Sequence, residues 1–563
     1  MDKRVKPNRQ YIYIVLVIAF CMIPNVLQIL VGEDSVTATL LKKVVYFFLG
    51  LSIIILPLSV IRPKYYSLFS LLLFPLLVFE TFHVFQFKAP STEESLASVF
   101  LTNYVETYEL LEVNFQLIIL LFISLAILTL LALKIKKNFV LEKKIRLSIV
   151  VFFALVFATL HGRNYLLAYK LRDNFKEVKK LANYSLDVQM KKVYPSDIII
   201  KLKDAYKGVQ QKKNYLNRID GFKFQAQKKD TLSEQEIYVL VIGETARKHN
   251  FGIYGYERET TPNLDTISNL IHFSNVNSTA NLTSLSIPFI LTRATPSQVS
   301  PKLDEPAILA PFKEAGFKTY WISNQPSGVG SVFGFYSSLA DSYKNASVLS
   351  KSSNYDGQLI NELEDVLNDT TSKKKFIIIH TIGSHFRYNN RYPNEFEKFK
   401  PNLKKGLSIE NSISLRSKDK IINSYDNSIL YTDYILSEFI NTIEKQNAIS
   451  FMYYISDHGE NLYDDNSEKI LHAYINPTQY ELEIPLFIWN SNAYEQTYNS
   501  KVMNLQNNKH KALMTTNTFH TLLDLANISY PTQNLSESFS NIKFDSSKPR
   551  FFYRTNKTKL KLD

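Results

Sequence analysis

Three short apolar runs in the second half of the chain each stop at residues able to hold a metal ion. Ile237-Tyr-Val-Leu-Val-Ile242 leads into Gly243-Glu244-Thr245-Ala246-Arg247. Phe376-Ile-Ile-Ile379 leads into His380 and then His385, and Phe451-Met-Tyr-Tyr-Ile455 leads into Ser456-Asp457-His458-Gly459-Glu460. Runs of this length, rich in Ile, Val and Tyr and bounded by Gly and polar residues, read as buried parallel strands. Ligands of open α/β sheets bind beyond the carboxyl ends of the strands. Three strands that deliver carboxylate and imidazole to one edge therefore predict a single site, of metal-binding character. Lys318–Ile322 and Ile484–Trp489 read as further strands among longer amphipathic stretches. This alternation predicts an α/β domain with a mainly parallel sheet over residues 236–563.

A chain of 563 residues exceeds a single core. Its first 170 residues are strongly apolar and predict a helical membrane domain of five spans, roughly Tyr11–Val31, Val44–Ile61, Tyr65–Phe85, Phe115–Leu133 and Ile145–Tyr165. Each approaches the ~20 residues that cross a bilayer. Lys3, Arg4, Lys6 and Arg9 precede the first span, Arg62 and Lys64 separate the second from the third, and Lys134, Lys136, Lys137, Lys143, Lys144 and Arg146 separate the fourth from the fifth. The alternate loops are acidic, with Lys42 and Lys43 as the exception. The positive-inside rule then predicts a cytoplasmic N-terminus and places the second half of the chain outside, in the periplasm of a bacterial cell. The net charge of +13 fits a nucleic-acid partner in principle, but the basic residues cluster beside apolar spans, which favours anionic lipid. The single cysteine, Cys21, excludes an intrachain disulfide and carries no signal about compartment.

Residues 171–235, rich in Lys, Tyr and Gln, read either as helices along the membrane surface that bridge the two halves or as a solvated linker. The Lys88–Glu112 loop reads either as an external hairpin or as part of a lipid-headgroup cavity. Glu80 and His83, near the outer end of the third span, are functional by default and equally explicable by solvation at the interface.

Each candidate ligand also has a plain structural reading. Glu244 suits a helix N-terminus. Asp457-His458 pairs oxygen and nitrogen ligands, which zinc accepts, or forms a polar turn. His385 and His472 fit surface positions, and His380 fits a semi-buried one. The hydroxyl-rich stretch Ser278-Thr-Ala-Asn-Leu-Thr283-Ser-Leu-Ser286-Ile-Pro288 opens a helix, with Thr279, Asn281 and Thr283 as N-cap candidates. A threonine nucleophile there needs a metal or base to become an alkoxide.

Together these motifs resemble the bacterial inner-membrane phosphoethanolamine transferases, the family of lipid A modifying and colistin-resistance enzymes. The resemblance rests on Val241-Ile-Gly-Glu-Thr-Ala-Arg247, Tyr254-Gly-Tyr256-Glu-Arg258-Glu-Thr-Thr-Pro262, Thr283 with Ser286 and Pro288, His380 to His385, Ser456-Asp-His-Gly-Glu460 and Leu471-His472. It implies a sulfatase/alkaline-phosphatase-like catalytic domain outside a five-helix membrane domain. It further implies that Glu244, Thr283, Asp457 and His458 bind one zinc ion, with Thr283 the nucleophile, and that His385 and His472 hold the substrate phosphate or a second zinc. Asn103 and Thr107 are similar to the family's headgroup cavity, and Glu109 to an acidic residue after it. The implied reaction moves phosphoethanolamine from phosphatidylethanolamine to lipid A or the lipopolysaccharide core, through a phosphothreonine intermediate, in a monomer.

The chain departs from that pattern in two places. The family's disulfide about the nucleophile loop is replaced by Thr279 and Phe289, so packing must hold the loop. The basic residue that follows Trp321-Ile-Ser-Asn324 is absent, because Gln325 to Phe333 contains no Lys or Arg. Other readings are a phosphoglycerol transferase of the same fold, a sulfatase, and a non-catalytic envelope-binding protein. The sulfatase reading is weakened by Ile290, which stands where that signature has arginine. The acceptor (lipid A phosphate, core sugar or periplasmic glucan) and the number of zinc ions stay open.

Overall fold

The computed structural model describes residues 9–31, 40–87, 90–91, 96, 115–171, 174–325, 332–346, 355–404, 415–465, 469–474, 476–554 and 557–562. By internal contact the chain divides into two compact units, and the division falls between Val209 and Gln210. That point lies inside the Ser196–Ile219 helix, so the expected bridging segment is shared between the units.

In the first unit, Lys143–Tyr169 is a single apolar helix of 27 residues, long enough to cross a bilayer. The first and third expected spans are broken: Arg9–Cys21 and Ile23–Leu30 meet at 50°, and Pro63–Leu72 and Phe74–Val84 meet at 59°. Pro24 and Pro75 sit just beyond the breaks. Each lacks the N–H that would continue the helix, and its ring crowds the preceding turn. The second span tightens into a 3-10 turn over Leu56–Ser59 at Pro57. The fourth falls on the Phe115–Lys134 helix. Among the described residues, helix length and composition support one crossing, or three if each bent pair counts as one. The expected five are therefore not reproduced by length alone.

Polar side chains pin this unit internally. The Asn25 amide accepts from Tyr194 N at 3.0 Å and donates to Tyr194 O at 2.9 Å. Asn164 and Gln189 exchange two hydrogen bonds, at 2.9 and 3.0 Å, between Lys143–Tyr169 and the Phe175–Met190 helix. Glu80 is buried and accepts from Ser91 N at 3.1 Å and Ser91 Oγ at 2.5 Å, so it is not solvated at the interface.

The second unit is built on a seven-stranded sheet. Its strands are β1 (Glu236–Gly243), β2 (Leu270–His272), β3 (Lys318–Ser323), β4 (Ser342–Asn345), β5 (Lys374–His380), β6 (Ile449–Ser456) and β7 (Leu486–Asn490), in the spatial order β2-β7-β6-β1-β5-β3-β4. The block from β6 to β4 is parallel throughout. β7 runs antiparallel to both of its neighbours, so the sheet is mixed. The reason is connectivity: the chain leaves β6 at the carboxyl edge and re-enters the sheet from that edge, without the crossover a parallel return requires. Alternate residues of β1 serve opposite faces. Tyr238, Leu240 and Ile242 enter one buried cluster, and Ile237, Val239 and Val241 enter the other. The 27-residue helix Lys418–Glu444 covers the second face with Tyr431, Ile435, Leu436, Phe439 and Ile440. Covering both faces explains why these strands are continuously apolar.

Candidate metal centre and active site

The register of the central strands aligns their carboxyl ends. Ile242 pairs with His380, and Gly243 pairs with Ser456, so Glu244 and Asp457 leave the sheet at the same level. Thr245 then adopts φ 58°, a left-handed backbone that costs an L-residue about 1–2 kcal/mol. That turn lets Thr245 N donate to Asp457 Oδ1 at 3.0 Å and Thr245 Oγ1 donate to Glu244 Oε1 at 2.6 Å. Gly383 allows the His385 loop to approach: at φ 48°, a Cβ there would lie 2.8 Å from Glu244 O.

Glu244, Asp457 and His458 are fully buried and bring one ligand atom each within 4.8 Å of the others. His458 Nε2 lies 3.8 Å from Glu244 Oε1 and 3.3 Å from Asp457 Oδ2. Burial, reinforced for Glu244 by the Asp457 charge, pushes both carboxyls up to about 7, and burial lowers His458 to about 4. His458 Nδ1 lies 2.9 Å from Gly459 O, which can only accept, so Nδ1 carries the proton and Nε2 keeps its lone pair. Asp457 Oδ1 takes two backbone N–H groups, while Oδ2 is buried with no hydrogen-bond partner. An orphaned carboxylate oxygen, a bare imidazole nitrogen and a second carboxylate, all on buried residues, fit a dication of the zinc type.

Thr283 joins this group. Its Oγ1 lies 3.2 Å from His458 Nε2 and 3.3 and 3.4 Å from the two oxygens of Glu244. It opens the Thr283–Leu291 helix, whose N-cap is Leu282 with no side-chain cap. The N-cap role expected of Thr279, Asn281 or Thr283 is thus absent, because those polar groups make tertiary bonds instead. Ser278 and Ser286 both donate to Asp457 O, at 2.5 and 2.6 Å, and Asn281 Nδ2 donates to Glu481 Oε1 at 2.6 Å. The hydroxyl-rich stretch is tied to the Asp457 turn through these bonds.

His472 lies beside the same centre, its ring centroid 4.2 Å from that of His458. With His458 and Glu460 it forms a second group of potential ligands. Its Nδ1 faces Glu460 Oε2 at 2.6 Å, and Tyr388 Oη donates to Glu460 Oε1 at 2.6 Å. His385 Nδ1 lies 2.7 Å from Phe386 O, and the ring sits in the fields of Glu244 and His472 while burial lowers its pKa. His380 is buried under Trp321 and pushed down to about 3 by desolvation. Asn103, Thr107 and Glu109 lie outside the described residues.

Three contributors carry little or no sequence signal. Gln325 Nε2 donates to Glu244 Oε2 at 3.0 Å and to Thr381 O at 2.9 Å, in the region that lacks Lys and Arg. Asp356 accepts from Ile382 N, Gly383 N and Asn324 Nδ2, each at 2.9 Å, and so holds the loop that carries His385. Glu460 belongs to the recognised Ser456–Glu460 turn, but only its contacts with Tyr388 and His472 show what it touches.

A family model described as Sulfatase matches residues 236–528, more than half of the chain. A phosphoethanolamine transferase, EptC of Escherichia coli K12, is 32% identical over 329 residues, covering 56% of this chain and 55% of its own. The chain thus spans about half the length of this curated relative. The crystal structure of the C-terminal periplasmic domain of EptC from Escherichia coli in complex with Zn matches with TM-score 0.52 and 30% identity, over 60% of this chain and 94% of that one. The integral membrane protein lipooligosaccharide phosphoethanolamine transferase A from Neisseria meningitidis matches with TM-score 0.51 over 93% of this chain and 98% of that one, at 21% identity, a likeness of fold. The sulfatase-like fold expected for the second unit is found, on a mixed sheet.

Proposed function

Because the chain belongs to the sulfatase family, we propose that it is a zinc-dependent phosphoethanolamine transferase. Its donor is phosphatidylethanolamine, and its acceptor is an envelope glycolipid, lipid A or the lipopolysaccharide core. The relative EptC is named a phosphoethanolamine transferase, and a neighbouring structure was solved with zinc. The observation that carries the reading is the convergence of a helix-terminal hydroxyl, Thr283, on three buried ligand residues. Glu244, Asp457, His458 and Thr283 would hold the ion. When bound, zinc supplies positive charge that lowers the pKa of the Thr283 hydroxyl and offsets charge on the phosphoryl oxygens.

The chain's own residues do the rest. Thr283 Oγ1, at a helix N-terminus, attacks phosphorus, the P–O bond to diacylglycerol breaks, and the leaving oxygen takes up a proton. The product is phosphoethanolamine esterified to Thr283. A hydroxyl or phosphate of the acceptor then attacks the same phosphorus and Thr283 departs with a proton. His385 and His472, whose Nδ1 atoms face Phe386 O and Glu460, stand beside the centre to bind the phosphoryl group or move protons. Gln325 and Thr245 hold the Glu244 carboxylate in place throughout.

The same reading places the protein in a bacterial inner membrane as a five-span monomer, with its N-terminus in the cytoplasm and its catalytic unit in the periplasm. The test is intact-mass analysis of the full chain after incubation with phosphatidylethanolamine. The wild type gains one phosphoethanolamine unit and Thr283→Ala gains none. An adduct on Thr283→Ala removes Thr283 from the mechanism. Mass spectrometry of envelope glycolipids from cells with and without the protein then identifies the acceptor.

A further inference from the structure

We infer that Tyr553 is a positioning residue for Thr283, clasping both ends of the nucleophile segment from a C-terminal hairpin. This rests on Thr283 being the reacting hydroxyl. The hairpin, Phe551–Tyr553 paired antiparallel with Lys559–Lys561, lies beyond residue 528, where the sulfatase match ends. Its Tyr553 N–H donates to Thr279 O at 2.7 Å, upstream of Thr283. Its ring meets the Phe289 ring edge-on at 5.5 Å and 66°, downstream of Thr283. One residue therefore touches both flanks of the Thr279–Phe289 segment.

The surroundings show that the contact is built. Tyr553, Phe289, Ala280 and Ala294 form a buried cluster separate from the two main cores. Thr279 is gripped from its other side by Thr515, whose Oγ1 donates to Thr279 Oγ1 at 2.7 Å and accepts from Thr279 N at 3.0 Å. The Lys302 ammonium lies 5.5 Å over the Tyr553 ring, and Lys559 Nζ donates to Ser297 Oγ at 3.3 Å, anchoring the hairpin's second strand. With Cys21 the only cysteine, no covalent cross-link within the chain is available to this segment. Its placement depends on such contacts, and displacement of a reacting atom by about 1 Å costs on the order of a hundredfold in rate.

The experiment uses the full-length enzyme in detergent, with rates normalised to zinc content, and follows hydrogen exchange of residues 279–291. Tyr553→Phe keeps both the ring and the N–H and is expected to match the wild type. Tyr553→Ala is expected to lower kcat roughly ten- to hundredfold with KM for phosphatidylethanolamine within about twofold. It should also raise exchange in 279–291 while β6 stays protected. Wild-type kcat and exchange in Tyr553→Ala, or an equal rise of exchange in β6, would overturn the inference, the latter by showing a general loss of stability. A variant truncated after Arg550 removes the backbone bond as well and should exceed Tyr553→Ala in both effects. If it does not fold, the Ala and Phe pair decides. Should Thr283→Ala still turn over, the nucleophile assignment fails by itself, and the exchange data still report whether the clasp exists.

Discussion

Thr283 Oγ1 lies 3.2 Å from His458 Nε2, although 175 positions separate the two residues in sequence. Neither residue's local environment requires this meeting. The Thr283–Leu291 helix delivers the hydroxyl, and the turn after β6 delivers the imidazole with its Nδ1 already occupied by Gly459 O. The hydroxyl and the nitrogen lone pair thus share one small buried space.

The nucleophile and the ion should separate experimentally. In Thr283→Ala the three residues Glu244, Asp457 and His458 remain, so zinc content should stay near that of the wild type while the phosphoenzyme adduct disappears. Thr283→Ser keeps the hydroxyl and should retain activity within about tenfold. Metal analysis and intact mass on the same samples check both statements. Loss of zinc in Thr283→Ala with a surviving adduct would contradict this division of roles.

Zinc affinity should depend steeply on pH below neutrality. Burial holds Glu244 and Asp457 up at about 7, and both must lose their protons to act as ligands. His458, lowered to about 4, is already neutral above pH 5. Below 7 the ion therefore competes with up to two carboxyl protons, and affinity should rise by as much as about a hundredfold per pH unit from 5 to 7, then flatten. Competition titration with a chelator across that range measures the slope. A flat profile would show that the carboxylates are ionised throughout.

Gln325→Ala should weaken metal binding without touching a ligand. The amide holds Glu244 Oε2 at 3.0 Å and satisfies Thr381 O at 2.9 Å. Loss of such an outer partner typically costs ten- to hundredfold in metal affinity or activity, and the orphaned carbonyl adds about 1–3 kcal/mol of instability. Dialysis against graded zinc, combined with thermal unfolding, reads both effects. An unchanged zinc affinity would reduce Gln325 to a packing residue.

Glu460→Gln should act through His472. The carboxylate bridges Tyr388 Oη and His472 Nδ1, both at 2.6 Å, and orients the imidazole. Burial pushes this carboxyl up to about 8, so what the amide removes is one of the two oxygens that meet Tyr388 and His472, and kcat/KM should fall roughly ten- to hundredfold with the zinc content of Glu244, Asp457 and His458 preserved. Steady-state kinetics with metal analysis checks this. Full activity would mean that His472 needs no orienting partner.

Adding a side chain at the turn after β6 should be costly as well. A Cβ at Gly459 would collide with the Tyr480 carbonyl, which is backbone and cannot rotate away. Gly459→Ala is expected to displace the Asp457-His458 turn, lower zinc content and reduce activity by more than about tenfold. A zinc-loaded, fully active Gly459→Ala would show that this turn has room to shift.

Much of the architecture was readable because it follows local periodicity. Continuous apolar runs mark strands buried on both faces, and a polar residue directly after such a run lies at the sheet edge whatever the rest of the fold does. Glu244, Asp457 and His458 were legible for that reason. Long apolar stretches likewise announced helices, but Pro24 and Pro75 turned two of them into bent pairs. Whether a bent pair crosses a bilayer is not a matter of composition. Tertiary structure alone decided the antiparallel direction of β7, because direction depends on which edge the incoming loop reaches. It alone brought Gln325 to Glu244, Asp356 to the His385 loop and Tyr553 to Thr279, contacts across 81, 26 and 274 positions for which the chain has no local pattern. Periodicity is a property of neighbours in sequence, whereas a site is assembled from loop ends whose meeting depends on how the whole sheet closes its order.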